Sequence, residues 1–328
     1  MNDLFYNFLA WIQSWVGSWG VAMIIFTVMI RLALTPLDMK SRVSMRRTQK
    51  LQPQLQALQK KYANDKEKLN AKTAELYKKE HINPLSSCLP LLLTWPILII
   101  VFNAMRMAAN QEMLKQMAQV LNGAETIRME PFLWIKNLWM PDNVFKTAFP
   151  DEATLKAIPL DQWQKWFNSL AEGEIPAMIR EMGITSIDSD TVTQIIEKIT
   201  SLDIYKAQTA LNPEMVVPLL GTVPEIGNIN GWLILPALSA ISQIVMTKIT
   251  TGNQPQQTAA NGQPNTGKFL QYFFPIFSLW ICLSATASFA LYWVAGNLVS
   301  MAQTVIINKI LDKREAMAAT VAGEGSVK

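Results

Sequence analysis

Histidine occurs once in the 328 residues, at His81, so a multi-histidine metal site is excluded. Cysteine occurs twice, as Cys88 and Cys282, both in apolar runs, which rules out a disulfide framework. Charged residues make up only 16%, against about 25% in an ordinary globular domain, while half of the chain is hydrophobic. A sequence so short of surface charge reads as a membrane protein with a soluble part. The catalytic signatures are missing too. There is no Walker A loop, G-x-G-x-x-G, H-E-x-x-H or G-x-S-x-G, and no paired intramembrane aspartates. Neither enzymatic activity nor ATP-driven work by this chain alone is expected, and no metal or cofactor. The N-terminus lacks a basic n-region and an A-x-A-like site, so no cleavable signal peptide is expected, and no lipidation cysteine lies near the start.

The charge that is present is unevenly placed. Residues 107–230 hold 16 acidic and 9 basic side chains, whereas the remainder holds 20 basic and 9 acidic. Such a split fits a membrane protein whose basic parts face the cytoplasm. Residues 1–18 carry Leu4, Phe5, Phe8, Leu9, Trp11, Ile12, Trp15 and Val16 at helical spacing, which fits an amphipathic helix in the membrane interface, or a helix that lengthens the first span. Residues 19–38 are the first span, since about 20 residues cross roughly 30 Å of hydrocarbon. Asp38, Lys40, Arg42, Arg46 and Arg47 follow at once, which places that end in the cytoplasm and the N-terminus outside.

Residues 39–82 alternate charge with a thin apolar stripe, Leu51, Leu55, Leu58 and Tyr62, and predict a cytoplasmic hairpin of two helices. Pro53 suits the first turn of one arm, and Asn64, with Glu67 three residues on, is expected to cap the other. Asn83-Pro84 opens the second span, 83–107, where Pro90 and Pro96 require neighbouring helices to satisfy the freed backbone groups. Residues 108–230 form an extracytoplasmic region with an aromatic segment at 131–142 and a helical insertion at 143–228. The third span is 231–250, and 251–268 is a cytoplasmic loop rich in Gly, Pro, Gln and Asn. Residues 269–308 carry the fourth and fifth spans, parted by Ser284-Ala285-Thr286, and 309–328 form a cytoplasmic tail. The fold expected is an all-α membrane protein with five transmembrane helices, N-terminus out and C-terminus in.

Arg31 interrupts the first span. A charge at that depth costs a few kcal/mol or more unless it faces a wet cavity or a partner, or snorkels to the head groups. No acid lies within the apolar runs of the spans to pair with it. Thr27 lies one turn away, and Ser239, Gln243 and Thr247 make a polar stripe in the third span, joined by Ser242. Tyr292, Asn297 and Gln303 lie in the fifth. Interhelical hydrogen bonding and a functional groove both account for these residues. Lys60, Lys61, Lys66 and Lys68 make the hairpin basic, fit for anionic lipid or RNA. Interspersed Asp65 and Glu67 favour a merely solvated face on the residues alone.

Several runs together resemble the YidC/Oxa/Alb family of membrane protein insertases. Ile30-Arg31-Leu32, Thr35-Pro36-Leu37, Leu51-Gln52-Pro53 and Tyr77-Lys78-Lys79 are similar to its first span and hairpin. Asn83-Pro84-Leu85-Ser86-Ser87-Cys88-Leu89-Pro90 with Pro96-Ile97 resembles its N-P-x-x-x-C-x-P run. Phe132-Leu133-Trp134-Ile135, Gly231-Trp232, Ile234-Leu235-Pro236, Leu291-Tyr292-Trp293, Gly296-Asn297 and Gln303 follow in the family's order. The large periplasmic domain of some members is not expected here, and 143–228 shows no motif that resembles the family. The resemblance implies a bacterial multi-pass plasma-membrane insertase and folding chaperone of the short type. It implies a hydrophilic groove with Arg31 as its charge and Trp293, beside Tyr292, as its aromatic contact to substrates. Thr27 and Gln243 join the groove by periodicity. It further implies nascent membrane proteins as substrates, membrane lipids and the Sec translocon as partners, and a weak link to the ribosome and the signal recognition particle pathway through hairpin and tail. DNA is not an expected partner. A scaffold or receptor built on 143–228 is the alternative. A transporter or channel fits less well, for want of repeats and ion sites.

Overall fold

The computed structural model describes residues 2–80, 89–210, 215–217, 221–223, 228–251 and 266–325. The expected cap at Asn83-Pro84, and most of the expected loop at 251–268, lie outside the described residues. The chain runs α1 Asn2–Val16, α2 Trp19–Lys50, α3 Gln52–Lys61, α4 Lys66–Lys79 and α5 Leu89–Leu121. Short helices follow: α6 Glu152–Lys156, α7 Leu160–Asn168, α8 Ala177–Glu181, α9 Ser189–Ser201 and α10 Asp203–Thr209. After β1 Met215–Val217 and β2 Gly221–Val223 come α11 Ile234–Thr251, α12 Thr266–Ser284 and α13 Ala287–Gly325. The described residues are overwhelmingly helical, as expected, and β1 and β2 pair as a short antiparallel hairpin.

Two helices, Trp19–Lys50 and Ala287–Met317, are long and apolar enough to cross a membrane, and Ile234–Thr250 and Gln271–Ser284 are shorter apolar helices. Their exposed side chains follow helical spacing: Ile241, Ile244, Val245 and Ile249 on α11, and Tyr272, Phe273, Ile276, Leu279 and Trp280 on α12. Soluble monomers rarely expose contiguous apolar faces of this kind. The polar residues Ser242, Asn297, Ser300, Gln303 and Thr304 are instead buried. This inside-out arrangement is what helices need when their solvent is lipid.

The chain divides into two compact units. The first comprises 1–26, 100–239 and 278–294, and the second 27–99, 240–277 and 295–328. In the first unit α1 and α2 are separate helices. Phe5 and Phe8 of α1 meet Phe26 at ring-centroid distances of 6.1 and 6.0 Å, and Trp19 meets Trp139 edge-on at 5.2 Å. Region 143–228 packs Trp163, Trp166 and Phe167 of α7 with Ile195, Ile196 and Ile199 of α9, all buried. Helix α9 starts at a capping box. Asp188 Oδ1 accepts from the Thr191 N–H at 2.8 Å, and Thr191 Oγ1 accepts from the Asp188 N–H at 2.7 Å.

Tyr205 of α10 is buried edge-on against Phe149, with ring centroids 5.9 Å apart. Burial pushes its phenol from 10.0 up to about 12, helped by the negative field of Asp151 and Glu152. An acid whose pKa rises on folding stabilises the fold below its unfolded pKa and loses that contribution as pH climbs to the folded one. The thermal midpoint of the full chain in detergent should therefore fall between pH 10 and 12. Tyr205→Phe should flatten that fall, and an unchanged profile would show that the phenol is not responsible.

Candidate functional site

In the second unit, the Arg31 guanidinium lies across Gly296 of α13. A Cβ built on Gly296 would sit 3.3 Å from Nη2, 3.6 Å from Nε and 3.7 Å from Thr27 Cγ2. Arg31 and Thr27 are thus brought together on the smallest residue α13 can offer. The turn that follows is fastened by α13. Gln303 Nε2 donates to the Arg31 carbonyl at 3.0 Å and to Thr35 Oγ1 at 2.7 Å, just before Pro36 within α2. Thr35 Oγ1 itself donates to the Arg31 carbonyl at 3.0 Å.

Beside Gly296 on α13, Asn297 Nδ2 donates to Ser242 Oγ of α11 at 3.0 Å, and both residues are buried. Gln243, expected to face the groove, is half-buried, and its carbonyl accepts from Thr247 Oγ1 at 2.8 Å. Of the expected stripe, Ser242 makes the bond to Asn297, and Ser239 is buried as well. Ser239, in the first unit, donates to the carbonyls of Pro236 and Ser278. Gly296, quoted from the sequence only within the run Gly296-Asn297, was not among the expected groove residues, although a glycine there is a visible signal of close approach.

Tyr292 and Trp293 belong to the first unit, where Phe289 lies 6.2 Å from the Tyr292 ring and 5.8 Å from the Trp293 ring. Phe102 of α5 meets Phe289 edge-on at 5.0 Å. Tyr292 is buried and Trp293 half-buried.

The hairpin of α3 and α4 follows α2 after a break at Leu51, with Leu51 and Leu55 buried and Pro53 in the first turn of α3. Asp65, not Asn64, caps α4, its Oδ1 accepting from the Lys68 N–H at 3.0 Å. Lys60, Lys61, Lys66 and Lys68 are all exposed. Lys68 also pairs with Asp65 at 3.2 Å, and Lys61 lies 5.6 Å from the Tyr62 ring centroid. Mixed charge therefore tempers the basic face.

The end of α2 is tied to α13 by charge. Arg42 Nη2 donates to Thr304 Oγ1 at 2.6 Å. Arg46 Nη1 lies 2.7 Å from Asp312 and 3.7 Å from Glu315, and Lys50 Nζ lies 3.1 Å from Glu315. Among the described residues no cluster of His, Cys, Asp or Glu could hold a metal ion.

In region 108–230, buried Asp142 accepts from Trp134 Nε1 at 3.1 Å and from the backbone N–H groups of Leu233 and Leu235 at 3.1 and 2.7 Å. The carboxylate thereby caps the start of α11. A Cβ on Gly231 would collide with it. Asn230, also buried, donates Nδ2 to the carbonyls of Asn137, Met140 and Pro141 and accepts from the Asn137 N–H.

Long helices with apolar exteriors and a polar seam inside define an α-helical membrane protein. The chain belongs to the family described as the 60Kd inner membrane protein, whose model matches residues 11–314. It is similar to the protein called membrane protein insertase YidC of Anaeromyxobacter dehalogenans, 36% identical over 137 residues, covering 42% of this chain and 22% of that one. It is similar to the protein of the same name in Fusobacterium nucleatum, 44% identical over 108 residues, covering 32% of this chain and 53% of that one. The match to its namesake in Treponema denticola is longer, 26% identical over 301 residues, covering 91% of this chain and 35% of that one. The chain thus spans between about a fifth and a half of the length of these relatives.

Proposed function

We propose that this chain is a membrane protein insertase and folding chaperone, without catalysis or an energy source of its own. The observation that carries the reading is the Arg31 guanidinium held on Gly296 beside a buried polar seam, two helical turns from Asp38, the one acid of α2. Family membership and the relatives named insertases support it. On this reading the chain makes five spans, with the N-terminus outside and the C-terminus in the cytoplasm of a bacterial inner membrane.

Arg31, Thr27 and Gln243 meet the hydrophilic tail of a nascent membrane protein and lower the cost of carrying it partway across. Tyr292 and Trp293 meet its apolar segment. Release of that segment into lipid drives the step, at about 25 cal/mol per Å² of apolar surface buried. The exposed lysines Lys60, Lys61, Lys66 and Lys68 dock cytoplasmic partners, with the Sec translocon beside the chain and ribosome or signal recognition particle contacts weak.

The purified chain in nucleotide-free proteoliposomes should insert a single-span substrate with a short acidic N-tail, read by protease protection above empty vesicles. Protection no greater than in empty vesicles, with the chain folded, would overturn the reading.

A further inference from the structure

Within the first unit, a cavity of about 340 Å³ lies between α5, the segment around Trp139 and Lys146, and the turn joining α12 to α13. This is the lower end of the size range of small-ligand pockets. Two of its lining side chains are buried with a polar group left over. Asn110 is 4% exposed and its Nδ2 has no hydrogen-bond partner; Trp139 is 1% exposed and its indole N–H has none either. A buried donor left unpaired costs about 1–3 kcal/mol, so two in one cavity call for an acceptor that fills it.

The charge of the walls says what kind of acceptor. No carboxylate lines the cavity, whereas Arg106 and Lys146 do. Lys146 is held by Asp151 at 2.8 Å, which leaves Arg106, exposed at the edge of the cavity, as its uncommitted cation. Phe102 and Phe289 make the remaining wall apolar. Donors, one cation and an aromatic wall match an anionic oxygen attached to hydrocarbon.

We infer that this cavity takes the head group of an acidic membrane phospholipid. The phosphate diester accepts from Asn110 Nδ2 and Trp139 Nε1 and meets Arg106, while Phe102 and Phe289 cover the glycerol and the first methylenes. The inference goes beyond the insertase reading and does not depend on it.

The test uses the full chain in uncharged detergent and a phosphatidylglycerol with a photoactivatable diazirine near its ester. Labelling should map to peptides around 100–113 and 284–290. It should fall about tenfold, the equivalent of roughly 1.4 kcal/mol, with the same tail on phosphatidylcholine and with Arg106→Gln, whose exposed position leaves the fold alone. Asn110→Leu should cause the same loss. Excess inorganic phosphate should not displace the label. Equal labelling by both lipids, labelling indifferent to Arg106→Gln, or displacement by inorganic phosphate would each overturn the inference. The last would mark a site for a free anion.

Discussion

Arg31→Ala should slow insertion of a substrate with an acidic tail by about tenfold or more, and Gly296→Leu should slow it as much without touching the charge. Two unit charges 4 Å apart interact by about 4 kcal/mol at an effective dielectric constant of 20. Even a third of that, surviving water in a groove, is a factor of ten. The guanidinium lies over Gly296, 3.3 Å from where a Cβ would stand, so leucine claims the space the cation occupies. Gly296→Ala asks for a shift of only a few tenths of an ångström at the end of a flexible side chain, and should keep most of the activity. The check is protease protection with two substrates that differ only in tail charge. The neutral tail should be nearly indifferent to Arg31→Ala and Gly296→Leu. If both tails slow equally, attraction by Arg31 is not how the chain works.

The largest stability loss is expected at Asp142. Asp142→Ala strands the buried backbone N–H of Leu235, together with the half-buried indole N–H of Trp134 and backbone N–H of Leu233. At about 1–3 kcal/mol for each orphaned donor, a loss of about 3–5 kcal/mol follows, or roughly 10 °C in Tm. Gly231→Ala should approach the same loss, because its methyl group strikes the carboxylate. The double variant decides whether they share one site. Once the Asp142 carboxylate is gone the methyl group meets only the backbone Cα at that position, 3.2 Å away, so the double variant should lose less than the sum of the two single losses. Tryptophan fluorescence melting in detergent reads this directly, and full additivity would separate the two residues.

The sequence made the long apolar helices legible because their composition is one-sided over whole turns. Arg31 stands out for the same reason, as a charge inside an apolar run, whereas Tyr292 and Trp293 were singled out by resemblance and the hairpin lysines by their charge pattern. Caps and close approaches were less visible. The cap of α4 moves one residue, from Asn64 to Asp65, since both side chains can cap and only the backbone decides which one reaches the Lys68 N–H. Helix α2 runs past Pro36 to Lys50, where a proline would ordinarily mark an end. Asp142 and Gly231 are 89 positions apart, and no local pattern announces that one leaves room for the other. The partner of Asn297 is Ser242, a member of the polar stripe of the third span, but which of its residues would meet α13 was not legible, because a helix presents neighbouring faces to different partners.

The fastening between the end of α2 and the last turns of α13 is made of ions at the surface. Asp312 and Glu315 keep 67% and 48% of their side-chain area open to water, so Arg46 and Lys50 hold them through a medium that competes for both. Each such pair is worth at most about 1 kcal/mol, and its reach shrinks from about 8 Å in physiological salt to about 3 Å at 1 M. The grip on α13 beyond Leu311 is therefore a dial turned by ionic strength, tight in dilute buffer and slack in brine. The neutral pair of Asn297 and Ser242 feels no such dial, so one helix carries both a fixed hinge and an adjustable clasp.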